Sequence, residues 1–125
     1  MKTISELNVV VVDDSDFYRG IIIDMLKDIG VGTIKDAASA EAALVVLSQS
    51  KPDIVITDIV MPEISGIELT EKISQNYPDI AVIVISSLSQ EHIVLEAIGA
   101  GAGDFIAKPV QKQQLLDSLE KLANR

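Results

Sequence analysis

The sequence predicts an α/β fold in which five parallel strands alternate with five helices, a (βα)5 arrangement. Short runs of β-branched residues alternate, along most of the 125-residue chain, with segments whose apolar residues recur every three or four positions. Continuous β-branched runs are typical of strands buried on both faces, as in a parallel sheet. Right-handed crossovers then place helices on both faces of that sheet. The length suits one domain, so we predict a single domain over residues 1–125.

The strands are predicted from these apolar runs. The strongest runs are Asn8–Val12, Ile54–Thr57 and Ala81–Ile85. Weaker candidates are Thr33–Ala37 and Asp104–Ala107. In open parallel sheets, binding sites form at the carboxyl ends of the strands. Functional residues are therefore expected directly after each strand.

The helix boundaries are predicted from capping residues. Serines stand just before four of the periodic segments, where an N-cap is expected. These predicted N-caps are Ser15, Ser39, Ser65 and Ser89. Gly30 and Gly99 are predicted to end the first and the fourth helix.

Composition and charge exclude several classes of function. The formal net charge of −9 repels nucleic acid phosphates, so direct DNA or RNA binding is not expected. The absence of cysteine excludes disulfides and thiolate metal sites. No apolar run has the roughly 20 residues of a membrane helix, so membrane insertion is not expected. We expect a soluble, cytoplasmic protein.

Polar residues follow four of the predicted strands. Asp13 and Asp14 follow the first strand, and Asp58 follows the third. Ser86 follows the fourth strand and Lys108 the fifth. Because the strands are predicted to be parallel, these side chains are expected to meet at one edge of the sheet.

The expected cluster predicts a Mg²⁺ site that supports phosphoryl chemistry. Three neighbouring carboxylates repel one another unless a cation neutralises them, and Mg²⁺ prefers oxygen ligands. Asp58 is the best candidate nucleophile, since a carboxylate can attack phosphorus and form an aspartyl phosphate. Lys108 and the Ser86 hydroxyl can then neutralise or hydrogen-bond the phosphoryl oxygens.

Each residue also has a simpler interpretation. Asp13 and Asp14 can cap the first helix, and Asp58 can cap a turn. Lys108 can be an ordinary exposed lysine. The four positions at four strand ends are harder to explain in this way when they are taken together.

Four segments of the sequence resemble the receiver domain of two-component response regulators. They are Val-Val-Asp-Asp-Ser, Thr-Asp-Ile-Val-Met-Pro-Glu-Ile-Ser-Gly, Val-Ile-Val-Ile-Ser-Ser and Gly-Asp-Phe-Ile-Ala-Lys-Pro. The resemblance spans nearly the whole chain and is strongest to stand-alone, CheY-like chemotaxis regulators. It implies a flavodoxin-like, doubly wound sheet with strand order 2-1-3-4-5.

The resemblance also implies roles for the matching residues. Asp58 would be the phosphoacceptor, and Asp13 and Asp14 would bind Mg²⁺ together with Asp58 and the backbone carbonyl of Val60. Lys108 would contact the phosphoryl group and form a cis peptide bond with Pro109.

A conformational switch is implied as well. Ser86 would move toward the phosphoryl group, and Phe105 would follow as the aromatic switch residue, although an aromatic residue can equally be plain core. Val60 and Leu88 are apolar at positions that tune hydrolysis in this family, which predicts slow self-dephosphorylation.

The function implied is a phosphorylation-dependent signalling switch and not an enzyme acting on a separate substrate. A histidine kinase would supply the phosphoryl group, and the surface formed by the fourth helix, fifth strand and fifth helix would bind a target protein in trans. That surface could also support self-association, and the resemblance suggests a role in chemotaxis or motility.

Two alternatives are a phosphorylation-independent interaction module and a Mg²⁺-dependent phosphohydrolase. Such hydrolases usually carry a second Asp two residues after the nucleophile, where this chain has Val60.

Overall fold

The computed structural model describes residues 2–125 and shows the predicted alternation of strands and helices. The strands are β1 (Asn8–Val12), β2 (Thr33–Ala37), β3 (Ile54–Asp58), β4 (Ala81–Ser86) and β5 (Asp104–Ala107). The helices are α1 (Asp16–Ile29), α2 (Ala40–Gln49), α3 (Gly66–Asn76), α4 (Glu91–Gly99) and α5 (Lys112–Ala123). A 3-10 helix, Ile4–Glu6, which was not predicted, precedes β1. Within residues 2–125, no helix combines the length and the apolar character needed to cross a membrane.

All neighbouring strands are parallel, and their order in the sheet is β2-β1-β3-β4-β5, as the resemblance implied. The chain leaves β1 toward one edge of the sheet and then returns to β3 on the other side. In open α/β sheets, ligands bind at such a reversal, beyond the carboxyl ends of the strands, which here are those of β1 and β3. β3 and β4 are each one residue longer than predicted, so Asp58 and Ser86 are the last residues of their strands. Pairing of Asp58 with Ile85 and of Ser86 with Ala107 fixes both positions.

Two apolar cores cover the two faces of the sheet because successive strand residues point in opposite directions. Val10 and Val12 belong to the core under α2, α3 and α4, whereas Val9 and Val11 belong to the core under α1 and α5. All four valines are at most 1% exposed. Burial of each such side chain contributes about 1.5–3 kcal/mol, so the two faces together hold β1 at the centre of the fold.

Three of the four predicted N-caps are confirmed. The side chains of Ser15, Ser39 and Ser65 each accept a hydrogen bond from the N–H of the third residue along. The prediction for Ser89 is wrong, because α4 begins one residue later and Gln90 occupies the N-cap position without a side-chain hydrogen bond.

The helix ends follow the glycines with one difference. Gly30 adopts the left-handed conformation after α1, with φ of 102°. Helix α4 does end at Gly99, but the left-handed residue is Gly101, with φ of 113°. The chain therefore reverses two residues after α4, just before β5 begins.

Candidate functional site

Three carboxylates meet where β1 and β3 end. Carboxylate oxygens of Asp13, Asp14 and Asp58 all lie within 4.8 Å of one another. Asp13 is 4% exposed and the Asp58 side chain 11% exposed, whereas Asp14 lies at the surface. The structure therefore brings together the three acidic residues that the sequence placed at two separate strand ends.

Lys108 enters the same cluster from the end of β5. Its Nζ lies 3.4 Å from Asp13 Oδ2 and 3.3 Å from Asp58 Oδ2. These distances are longer than the roughly 2.7–2.9 Å of strong charge-assisted hydrogen bonds, so the ammonium is shared between the two carboxylates. The Lys108 N–H donates to the Ser86 carbonyl at 2.9 Å, and the peptide bond to Pro109 is cis, as expected.

The cluster carries an excess of negative charge. Burial raises the pKa of the Asp58 carboxyl above its usual range, and the neighbouring Asp13 charge raises it further. Lys108 and the Ile59 N–H oppose this shift but do not cancel it. Within residues 2–125, the Lys108 ammonium forms ion pairs with two of the three carboxylates, those of Asp13 and Asp58. A divalent cation that prefers oxygen ligands fits this donor set.

The two buried carboxylates also accept local hydrogen bonds. Asp13 Oδ1 accepts from the Ser15 N–H at 2.9 Å, and Asp58 Oδ1 accepts from the Ile59 N–H at 2.8 Å. The N-cap of α1 is Ser15, so the interpretation of Asp13 or Asp14 as the cap of this helix is wrong. In both buried residues, one oxygen organises the loop and the other, Oδ2, faces Lys108.

Arg19 holds the loop after β1 in place, and this role was not predicted from the sequence. Its guanidinium donates to the Asp13 carbonyl at 2.7 Å, to Asp36 Oδ2 at 2.8 Å and to Asp16 Oδ1 at 2.6 Å. Asp16 and then Asp36 raise its pKa. The spacing of Asp16 and Arg19, one turn of helix apart, was the only signal in the sequence, and it gave no hint of the contact with the backbone of Asp13.

Gly66 is the last residue of the second segment that resembles the receiver family, and no role was predicted for it. Its N–H donates to the Ile59 carbonyl at 2.8 Å, and a Cβ at this position would overlap the Asp58 carbonyl oxygen. The same oxygen accepts a hydrogen bond from the hydroxyl of Thr57, which is fully buried, at 2.9 Å. The backbone of Asp58 is thus held from two sides.

A role was also predicted for three further residues, Ser86, Phe105 and Val60. Ser86 is fully buried, and its Oγ accepts a hydrogen bond from the Leu88 N–H at 3.0 Å, so the hydroxyl is engaged with its own loop. Phe105 is half-buried and packs against the core under α2, α3 and α4. The Val60 side chain is 59% exposed beside the Asp58 loop.

The fold and the acidic cluster together define a receiver domain. The family model for the response regulator receiver domain matches residues 9–120, and the chain belongs to this family.

Stand-alone chemotaxis proteins are among the relatives. The chain is 37% identical over 115 residues to the chemotaxis protein CheY of Thermotoga maritima, covering 92% of this chain and 96% of that protein. It is 38% identical over 117 residues to the chemotaxis protein CheY of Listeria monocytogenes, covering 94% and 98%. A solved CheX–CheY complex with BeF3 and Mg²⁺ from Borrelia burgdorferi contains a chain that is 31% identical, with a TM-score of 0.88, covering 94% of this chain and 89% of that one.

Proposed function

We propose that this chain is a cytoplasmic, phosphorylation-dependent switch of a two-component system, and that Asp58 accepts the phosphoryl group from a histidine kinase. The observation that carries the proposal is the position of Lys108, whose Nζ lies 3.3 Å from Asp58 Oδ2 within a cluster of three carboxylates. This distance supports attack by an Asp58 oxygen beside a cation that would stabilise the transferred phosphoryl group. Membership of the receiver family supports the same chemistry.

The proposed transfer exchanges one bond to phosphorus for another. A carboxylate oxygen of Asp58 forms the new O–P bond, the N–P bond of a phosphohistidine breaks, and the leaving imidazole takes up a proton from solvent. Lys108 contacts one phosphoryl oxygen, and the Ser86 hydroxyl donates to another. Mg²⁺ held by Asp13, Asp14, Asp58 and the Val60 carbonyl would neutralise charge on the phosphoryl group. Asp14 is the exposed one of the three carboxylates, so it lies on the solvent side of the site.

The proposed output is a change in the surface formed by α4, β5 and α5. A phosphoryl group adds a charge of about −1.5 to −2 and three acceptor oxygens, which would draw the Ser86 hydroxyl away from the Leu88 N–H. Phe105 would then repack beside it. Leu95 and Ile98 on α4 are 63% and 46% exposed, so this face offers apolar area to a target or to a second copy of the chain. The similarity to CheY proteins supports a target in chemotaxis.

The experiment is to incubate the protein with acetyl phosphate, with and without Mg²⁺, and to measure its intact mass. We expect a Mg²⁺-dependent gain of one phosphoryl group that is lost in Asp58→Asn. A folded wild-type protein that binds Mg²⁺ but gains no mass would refute the proposal and favour a phosphorylation-independent interaction module. Continuous release of phosphate without a phosphorylated protein would instead indicate a phosphohydrolase.

A further inference from the structure

Tyr18 lies beside the acidic cluster and has no part in the function proposed above. It is half-buried in the first turns of α1 and packs against the core under α1 and α5. Its backbone N–H donates to the Ser15 side chain that caps α1, at 3.1 Å. The first turn of α1 therefore fixes the position of Tyr18 directly after the Asp13–Asp14 loop.

The ring and the hydroxyl of Tyr18 both contact the segment that follows β5. The Lys108 Nζ lies 3.9 Å from the centre of the Tyr18 ring, over its face. The Tyr18 hydroxyl accepts a hydrogen bond from the Val110 N–H at 3.2 Å. The ring thus contacts the ammonium, and the hydroxyl holds the backbone two residues further along.

The Tyr18 ring provides a further contact for the Lys108 ammonium, whose contacts with the two carboxylates are long. Lys108 is only 16% exposed, and its distances to Asp13 Oδ2 and Asp58 Oδ2 are 3.4 and 3.3 Å. A lysine side chain has several rotatable bonds, so carboxylate contacts of this length do not fix its direction alone. An aromatic face attracts an ammonium within about 6 Å of its centre, and most strongly where water is partly excluded.

We propose that Tyr18 is a positioning residue for Lys108, which it keeps directed at Asp58 through the ring face and through the hydroxyl contact with Val110. This inference rests on the proposed function, because Lys108 acts there on the phosphoryl group. When Lys108 exchanges a carboxylate contact for a phosphoryl oxygen, the ring contact remains. The ring contact of Tyr18 is with Lys108 and its hydroxyl hydrogen bond is with Val110, so its effect on the reaction would pass through Lys108.

A double-mutant cycle on phosphorylation tests this coupling. With acetyl phosphate and Mg²⁺, Tyr18→Leu should slow the phosphorylation of Asp58 by about 3- to 30-fold, the range expected for loss of a cation–π contact. Tyr18→Phe keeps the ring face and loses only the hydroxyl contact with Val110, so it should be slowed less than Tyr18→Leu and stay within about threefold of the wild type. In a Lys108→Ala background, Tyr18→Leu should have no further effect, because there is no ammonium left to position. An equal loss in both backgrounds, or a Phe variant as slow as the Leu variant, would overturn the proposal.

A second measurement does not depend on phosphorylation. The ring current of Tyr18 should shift the NMR signals of the Lys108 ε-methylene protons upfield in the wild type and in Tyr18→Phe, and this shift should disappear in Tyr18→Leu. Unshifted Lys108 signals in the wild type would refute the positioning role even if Asp58 is phosphorylated. Shifted signals in a protein that cannot be phosphorylated would support the positioning contact while the proposed function fails.

The chain offers a matched control for the loss of an aromatic ring. Tyr77 is the second of two tyrosines, is also half-buried, and has Lys51 Nζ at 5.9 Å from its ring centre. It follows α3 and precedes the start of β4, whereas Asp58 lies at the carboxyl end of β3. Tyr77→Leu should leave both the phosphorylation rate and the Lys108 signals unchanged. Phosphorylation slowed as much by Tyr77→Leu as by Tyr18→Leu would show a general effect of ring loss and would count against the proposal.

Discussion

The Asp58 carboxyl is held in a position where its charge is disfavoured. Burial raises its pKa, so the native state binds a proton more tightly at this residue than the unfolded chain does. The stabilising contribution of this carboxyl is therefore fully present below its unfolded-state pKa and is lost as the pH rises through its folded-state pKa. In metal-free buffer at neutral pH, we expect Asp58→Asn to raise the free energy of unfolding.

The pH dependence separates this effect from a simple change in packing. The gain from Asp58→Asn should shrink as the pH is lowered toward about 4, because the wild-type carboxyl then also becomes neutral. Urea unfolding of both proteins across this range measures the difference. Asp24→Asn, which changes an exposed carboxylate on α1, should produce no such trend. A gain that is independent of pH would contradict the explanation.

Val60 is predicted to prolong the phosphorylated state. Its side chain is apolar and 59% exposed beside the Asp58 loop, so it cannot hydrogen-bond a water for attack on the phosphoryl group. We expect Val60→Asn to speed self-dephosphorylation by about an order of magnitude, since an amide can orient that water. The decay of the phosphorylated mass after removal of the donor measures the rate. Val45→Asn changes a similarly exposed valine on α2 and should leave the decay unaltered. Equal decay in all three proteins would show that Val60 has no such role.

At the scale of the elements, the junction between β3 and α3 depends on one glycine. A Cβ at Gly66 would overlap the Asp58 carbonyl oxygen, so α3 or the Asp58 loop must shift to accommodate it. We expect Gly66→Ala to lower the free energy of unfolding by about 1–3 kcal/mol, the usual range for overpacking. Phosphorylation should slow as well, because the loop that shifts carries Asp58, the proposed acceptor. Urea unfolding and the intact-mass assay measure the two effects.

A second helical glycine provides the control for this substitution. Nothing lies within 4 Å of a Cβ built at Gly20 in the interior of α1. Gly20→Ala should therefore stabilise the protein by up to about 1 kcal/mol through higher helix propensity. If Gly66→Ala were tolerated as well as Gly20→Ala, the close approach of α3 to Asp58 would not be a constraint on the site.

Most strands and helices could be predicted from the local sequence. The three runs of β-branched residues predicted β1, β3 and β4, because parallel strands buried on both faces have nearly continuous apolar sequences. Ser15 marked the start of α1 because an N-cap hydrogen bond is a local interaction. Ser89 failed as an N-cap because a serine before a helix does not reveal which of two adjacent residues the helix starts from. Local signals thus identified elements better than they placed their ends.

At the scale of the whole molecule, the strand order and direction predicted only those site residues that directly follow a strand. Parallel strands ending at one edge predicted that Asp13, Asp58 and Lys108 would meet, and they do. The supports of the site were missed because they depend on contacts between distant segments. Arg19 on α1 donates to Asp36 on β2, and Tyr18 contacts a lysine ninety positions further along the chain. Nothing in the local sequence of α1 distinguishes these residues from ordinary surface or core positions.

Magnesium should stabilise the whole fold if the acidic cluster binds it. A ligand that binds only the native state raises the free energy of unfolding with its concentration, by about 2.7 kcal/mol at one hundred times its dissociation constant. A chain with a net charge of −9 also gains stability from simple screening of its self-repulsion, so Mg²⁺ must be compared with NaCl at equal ionic strength. We expect a Mg²⁺-specific gain in urea unfolding that is lost in Asp13→Asn, whose carboxylate is 4% exposed within the cluster, and retained in Asp24→Asn. A gain that NaCl reproduces, or that survives Asp13→Asn, would mean that the three carboxylates do not form a metal site.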